Sequence, residues 1–364
     1  MKRESRSDED WQLIVDRLGG AAALAASARR TKAFVRPREV GDAVMLLRLI
    51  LAYCLGHGGL RTTAAWSVAL GLVDISNVGL LYRLRQSGAW LAHLVGVALS
   101  RASPQAAHGR PIRIIDGTTV AQAGGAGVSN RLWRIHAGFD LASERFGDFE
   151  LTDESIGERL DLFAVRPGEI RIADRAYLQA DRIAHVVEHG ADVVIRAGWK
   201  GARWRDADGE PLDLVTELAG AQATRIDRPI RLARKSAAPV AARLIAVRKP
   251  AEAAEAARRK ARRASQRGGH TLAAATLVAA DWVILVTTLP AETCSADDVL
   301  ALYRLRWRIE LAFKRLKSVI GLAGPPGKDA RSARPYILAH LLAILLLEPF
   351  VDALEDSPRS GCAA

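Results

Sequence analysis

Near residue 105 the spacing of apolar side chains changes from three and four residues to two, and few folds accommodate both patterns in one chain. Before that point AVMLLRLILAYCL and VGLLYRLRQSGAWLAHLVGVAL carry their apolar residues at helical spacing. Residues 1–105 are therefore predicted to form a helical N-terminal domain. Past the turn-rich SPQAAHGRP come three β-branched or aromatic runs at 112–115, 133–140 and 146–151, each bounded by Gly, Asp or Asn. These read as strands. A helical stretch at 153–163, a strand at 169–173, a helix at 178–189 and a strand at 192–196 follow. Three successive strands and then alternating helix and strand predict a mixed-sheet α/β fold.

Within the helical part, residues 62–71 and 76–85 are predicted as two helices around a tight turn at Asp74, with Ser76 as N-cap. Such a pair either contacts DNA or only packs against its neighbours. The longest apolar stretch, 336–351, is interrupted by His340 and Glu348 and falls short of the roughly 20 residues that cross a bilayer. It is predicted to be a buried helix, with no membrane association. The charged opening MKRESRSDEDW resembles no leader, so a cytoplasmic protein is expected. Cys54, Cys294 and Cys362 form no CxxC pair and are expected to be reduced bystanders.

Charge is unevenly placed. The chain carries 52 Lys and Arg against 40 Asp and Glu, a formal +12. Between Arg225 and His270 fourteen basic residues face three acidic ones, which accounts for nearly all of that excess. A segment of this kind either tracks a phosphate backbone or is a solvated arm. Short strand-like pieces surround it, so 197–290 is predicted as a β-rich basic insertion.

Three stretches carry candidate chemistry. IRIIDGTTV sets Asp116 directly after a short apolar strand, and EIRIADRAYL sets Asp174 at the same place on another. A carboxylate at a buried strand end needs compensating cations or hydrogen-bond donors, and two such acids side by side are relieved most directly by a divalent cation. Alone, either Asp is as well explained as a turn residue. In YRLRWRIELAFKRLK, Tyr303, Arg306, Glu310 and Lys317 fall within about 60° of one another on a continuous α-helix, beside an apolar stripe. Standing alone, Arg306 and Glu310 would be an ordinary surface pair worth a few tenths of a kcal/mol. His136 is expected to be a satisfied core or surface histidine, and Asp140 is left outside the site. Neither a GxSxG elbow nor a GxxxxGK[ST] loop occurs.

These motifs together, Asp116 on its strand, ADRAY at Asp174 and Tyr-x2-Arg-x3-Glu-x6-Lys from Tyr303 to Lys317, resemble the DDE transposases of bacterial insertion sequences, in particular the insertion-sequence-4 family. The similarity extends to FELTDESIGERL and DWVILVTTLP, and departs at Ala176, where the family more often has Gly. It implies an RNase H-like core in two parts, 106–196 and 291–364, interrupted by the basic insertion. It further implies that Asp116, Asp174 and Glu310 bind Mg²⁺, with Mn²⁺ as a substitute. By the same resemblance Tyr303, Arg306 and Lys317 contact DNA phosphates, Trp282 stacks on a flipped base, and Arg196 steadies the DNA. The implied activity is cleavage at terminal inverted repeats of double-stranded DNA and joining of the 3′ ends to target DNA, through a hairpin, by a homodimer formed on DNA at the nucleoid. A related nuclease without strand transfer and an inactive DNA-binding derivative are the alternatives, and intact acids argue against the second.

Overall fold

Alternate side chains of one mixed sheet enter two different hydrophobic cores, and this sandwich organises the chain. The computed structural model describes residues 6–56, 58–101, 109–121, 132–141, 145–153, 155–269, 271–310, 313–314 and 329–355. Nine strands form the sheet: β1 Ile112–Ala121, β2 Leu132–Asp140, β3 Arg145–Asp153, β4 Ile170–Ala173, β5 Asp192–Arg196, β6 Trp204–Arg205, β7 Arg225–Leu232, β8 Val240–Arg248 and β9 Trp282–Thr287. Their order is β3-β2-β1-β4-β5-β9-β8-β7-β6. The β1–β2–β3 meander is antiparallel, β4 and β5 join it in parallel, and β9 pairs antiparallel with β5.

The insertion strands therefore extend the same sheet. Val194 pairs with Thr287 and Arg196 with Leu285, so β9 covers the edge that β5 would otherwise leave open. Six helices precede the sheet: α1 Arg6–Arg17, α2 Gly20–Arg30, α3 Ala43–Leu55, α4 Leu60–Ala69, α5 Asn77–Gln86 and α6 Gly88–Arg101. Among the described residues further helices lie between or after the strands: α7 Ala180–Glu188, α8 Leu214–Gly220, α9 Ala251–Arg267, α10 Ala274–Ala280, α11 Ala296–Arg304 and α12 Ala330–Glu355. Ile114, Ile172, Val194, Ile245 and Leu285 face α3, α6 and α12, while Ile115, Ala173, Val193, Leu244 and Ile284 face α7 and α8. The helical domain expected over 1–105 consequently shares one core with the sheet and α12.

Local signals at the helix ends behave as their chemistry requires. Asp42 accepts from Met45 N at 2.7 Å, and Ser76 accepts from Gly79 N at 3.1 Å. Helices α4 and α5 lie where the two-helix reading expects them, with Leu80 and Leu84 buried and Val78 and Tyr82 exposed. Residues 336–346 are half-buried or buried within α12, and among the described residues no helix is long and apolar enough to cross a membrane. Cys54 and Cys294 are free thiols, the first buried and the second half-buried; Cys362 lies outside the described residues.

One expected element does not form. Of residues 153–163, predicted helical, only Leu160–Leu162 makes a single 3₁₀ turn. A buried cation from β4 takes the carbonyls a helix would use. Arg171 is fully buried and donates to Leu160 O, to Phe163 O at 3.1 Å and to Ala164 O at 2.6 Å. Its Nε meets Glu169 Oε1 at 2.7 Å, and Arg113 Nη2 lies 2.7 Å from Glu169 Oε2. This network ties the segment after β3 to the middle of the sheet.

Two outcomes follow for stability. Arg171→Met leaves Glu169 short of a partner, orphans the carbonyls of Leu160 and Phe163 and leaves Ala164 O only Arg113 Nη1 at 3.3 Å, so urea unfolding at neutral pH should register a loss of about 3–5 kcal/mol; less than about 1 kcal/mol would dismiss the network. His136 is fully buried, with Nε2 3.0 Å from Thr152 Oγ1, and burial, aided by Arg134, pushes its pKa down to about 4. Because the unfolded chain binds this proton more tightly, the stability present above pH 6.5 falls as pH drops toward 4. The loss reaches about 2 kcal/mol at pH 5. His136→Gln should flatten that part of the pH–stability curve.

Candidate active site

The last pair of the parallel ladder between β1 and β4 is Ile115 with Ala173. Asp116 and Asp174 are the next residues on these neighbouring strands, about 5 Å apart as backbone positions. Asp116 lies within β1 and not after it, because β1 continues along β2 to Ala121, with Asp116 opposite Ala137. The strand end that matters belongs to β4. Asp174 leaves that end, accepts from Arg175 N at 2.6 Å and caps the short turn Arg175–Tyr177.

Asp116 is largely buried, its side chain 16% exposed. Oδ1 accepts from Gly117 N at 2.8 Å, and Oδ2 lies 3.4 Å from Arg306 Nη1. Burial pushes its pKa up to about 6, against the pull of the Gly117 N–H and Arg306 and with help from Glu158 and Asp174. The surroundings are short of positive charge for the acids they hold.

Arg306 arrives on a segment that is not the single helix the spacing predicts. Helix α11 starts with a reciprocal Ser295–Asp298 capping box and ends at Arg304. Tight i→i−3 bonds then run from Leu305, Arg306, Arg308 and Ile309 to Leu302, Tyr303, Leu305 and Arg306, and helix resumes at 307–310. Tertiary contacts hold this turn. Ile309 is fully buried, and Phe313 packs on Phe146 with centroids 5.6 Å apart. Arg306 meanwhile ion-pairs with both Glu310 and Asp116 and sits 5.8 Å from the Tyr303 ring. The predicted stripe thus survives for Tyr303, Arg306 and Glu310 despite the break; Lys317 lies outside the described residues.

Arg196 closes β5 near this cluster. Its charge acts on Tyr303, whose phenol burial raises, and on Lys249, whose ammonium burial makes easier to deprotonate. Trp282 is not brought to the acids: it is 3% exposed in the second core, with Arg248 4.5 Å from its ring. Asp140 pairs with Arg113 near the other end of β1, well away from Asp116. Two residues that spacing did not single out, Glu158 and Tyr177, stand beside Gly117: a Cβ there would lie 3.4 Å from Glu158 Oε1 and 3.6 Å from the Tyr177 hydroxyl. Both lie inside stretches carrying the family resemblance, but nothing local in the sequence connects them.

The donors are carboxylate oxygens, the hard ligands that Mg²⁺ and Mn²⁺ select, and the uncompensated burial of Asp116 favours a cation. Among the described residues no three acids are gathered at ligating distance, since Arg306 stands between Asp116 and Glu310. A divalent ion fits the donor chemistry and charge once Glu310 exchanges Arg306 for it.

Residues 107–346, more than half of the chain, match the transposase DDE domain. InsL of insertion sequence element IS186A from Escherichia coli K12 is 38% identical over 364 residues, covering 98% of each chain. The transposase for insertion sequence element IS421 of Escherichia coli is 38% identical over 367 residues, again 98% of each. The fold and the site therefore belong to an enzyme that acts on DNA, built on an RNase H-like core. The chain is a member of the DDE transposase family, which works with divalent metal ions.

A site that holds a carboxylate under strain should be more stable without it. Ionised Asp116 destabilises the fold above pH 6, and the cost disappears as pH falls toward 4. Asp116→Asn keeps the bond from Gly117 and removes the charge. Thermal unfolding at pH 7.5 should give it about 1–2 kcal/mol over the parent, shrinking at pH 4.5.

Proposed function

We propose that this enzyme is the transposase of an insertion sequence that cleaves DNA at terminal inverted repeats and joins the 3′ ends to target DNA by in-line phosphoryl displacement. The observation that carries this reading is the Arg306 bridge, which brings Glu310 of one segment to Asp116 of the sheet, beside Asp174. Two Mg²⁺ ions, replaceable by Mn²⁺, would supply activation of the attacking hydroxyl and stabilisation of the departing 3′ oxygen. Asp116, Asp174 and Glu310 would hold them. Arg306, freed from Glu310, would turn its guanidinium to a non-bridging phosphate oxygen, where charge develops in the transition state. Tyr303 and Lys317 would position the same phosphate.

The distribution of charge supports a DNA track leading away from these acids. Several cations of the basic run are matched by acids in place: Arg243 with Asp227, Arg225 with Asp297, Arg228 with Glu217 and Arg258 with Asp281. Lys260, Arg262, Arg263 and Arg267 on α9 are exposed and form no ion pair among the described residues. Arg196 is near enough for its charge to act on both Tyr303 and Lys249, and Lys249 stands two residues before α9 in the chain. Phosphates would follow this line, and α4 with α5 would help hold the element ends. Two ends must be held together, so a homodimer on DNA is the working assembly. Base stacking by Trp282 requires Arg248 to move off its ring, and belongs to the hairpin route for second-strand cleavage.

The test uses the full chain, Mg²⁺ and labelled duplexes ending in the element's inverted repeats. Glu310→Gln should lose nicking and joining by at least about 10²-fold while gel-shift affinity in EDTA is retained. Replacing Lys260, Arg263 and Arg267 together by Gln should weaken DNA binding and lower the slope of log K against log salt by about 2–3. Nicking without joining would favour a nuclease, and binding with no metal-dependent cleavage would overturn the enzymatic reading.

A further inference from the structure

Gly117 leaves a notch next to Asp116 that two groups fill from other elements. Glu158 Oε1 and the Tyr177 hydroxyl come within 3.4 and 3.6 Å of where a Cβ would stand. Tyr177 is 1% exposed, and its hydroxyl has no hydrogen-bond partner. A buried hydroxyl left without a partner costs about 1–3 kcal/mol, and a phenylalanine would have avoided the cost. Glu158 is half-buried, and its carboxylate makes no ion pair or hydrogen bond among the described residues. The nearby arginines are engaged elsewhere: Arg134 reaches Ile156 O at 3.4 Å, and Arg159 forks onto Asp161 at 2.9 and 2.7 Å.

Backbone tethers fix the segment that carries this carboxylate. Arg171 binds the carbonyls of Leu160, Phe163 and Ala164 just beyond it, and Gln179 Nε2 donates to Glu158 O at 3.0 Å. The second tether links Glu158 to the segment that follows Asp174. Two acids, Asp116 and Glu158, therefore flank Gly117, with Asp174 on the neighbouring strand and an idle hydroxyl donor beside them. Arg306 meets only Asp116 of this set, and hard oxygen donors with an orienting hydrogen bond are what a divalent ion requires.

Resting on the metal-dependent reading above, we propose that Glu158 is a fourth acid of the metal centre, binding a divalent cation together with Asp116, and that the Tyr177 hydroxyl is the hydrogen-bond donor that orients it. The experiment titrates Mn²⁺ into the full chain without DNA at pH 7.5 and reads free Mn²⁺ by electron paramagnetic resonance, so no turnover is involved. Asp116→Asn should abolish tight binding. Glu158→Gln should weaken it about 10-fold or more, Glu158→Asp less, and Tyr177→Phe by about threefold, each variant checked for folding by circular dichroism. If Glu158→Gln does not fold, Glu158→Asp carries the comparison. Wild-type Mn²⁺ affinity in the Glu158 variants, with Asp116→Asn impaired, overturns this proposal and leaves the metal reading intact. Wild-type affinity in Asp116→Asn as well overturns the metal reading itself, and this proposal with it.

Discussion

Four residue pairs of parallel ladder between β1 and β4 bring two like charges together, and much of the structure around them compensates for that. A parallel ladder needs both strands buried and a crossover between them, here the segment fastened by Arg171. Because β4 stops at Ala173 while β1 runs on, Asp174 turns out of the sheet beside Asp116. Burial then makes ionised Asp116 costly, and the nearest cation, Arg306, has to come from the far end of the chain. The distance in sequence between these partners makes the site a product of the completed fold.

The same need explains the shape of the segment carrying Glu310. A regular helix from Tyr303 onward would continue the register of α11, whereas Ile309 and Phe313 must reach the core and Arg306 must reach the sheet. Tight i→i−3 bonds at 305–309 reconcile these demands at small cost in hydrogen-bond geometry. Buried ions elsewhere serve construction. Arg113, Glu169 and Arg171 replace a helix that local propensity favours with a loop that sets Glu158 next to Gly117. A hydrophobic substitute could fill the volume of that network but could not hold three carbonyls in place.

Charge follows a similar division of labour. The arginines of β7 and β8 mostly meet acids of the same fold, Arg243 with Asp227 being the tightest, at 2.6 Å on both guanidinium nitrogens. What remains available to a polyanion is concentrated on α9, where only Ala254 and Ser265 are buried. Net charge alone therefore overstates the surface offered to DNA by the strands and understates that of the helix. Lys249, at the joint between β8 and α9, links this helix electrostatically to Arg196 and hence to Tyr303.

Much of this was legible in the residues. Period-two and period-3.6 patterning located β1 to β5 and α3 to α7, because burial on one face imposes it regardless of partners. Asp116, Asp174, Arg306 and Glu310 could be singled out, since buried strand ends and helical stripes are local properties; their likeness to a family named the rest. Side-chain burial was less legible: Trp282 opens a strand, yet only the packed second core decides that its ring is covered by Arg248. Tertiary structure alone decided which acids meet, where the 303–317 helix breaks, and that Glu158 and Tyr177 converge on Gly117. Those outcomes depend on the parallel register and on ion pairs up to 190 residues apart in sequence, and local spacing carries no information about contacts of that range.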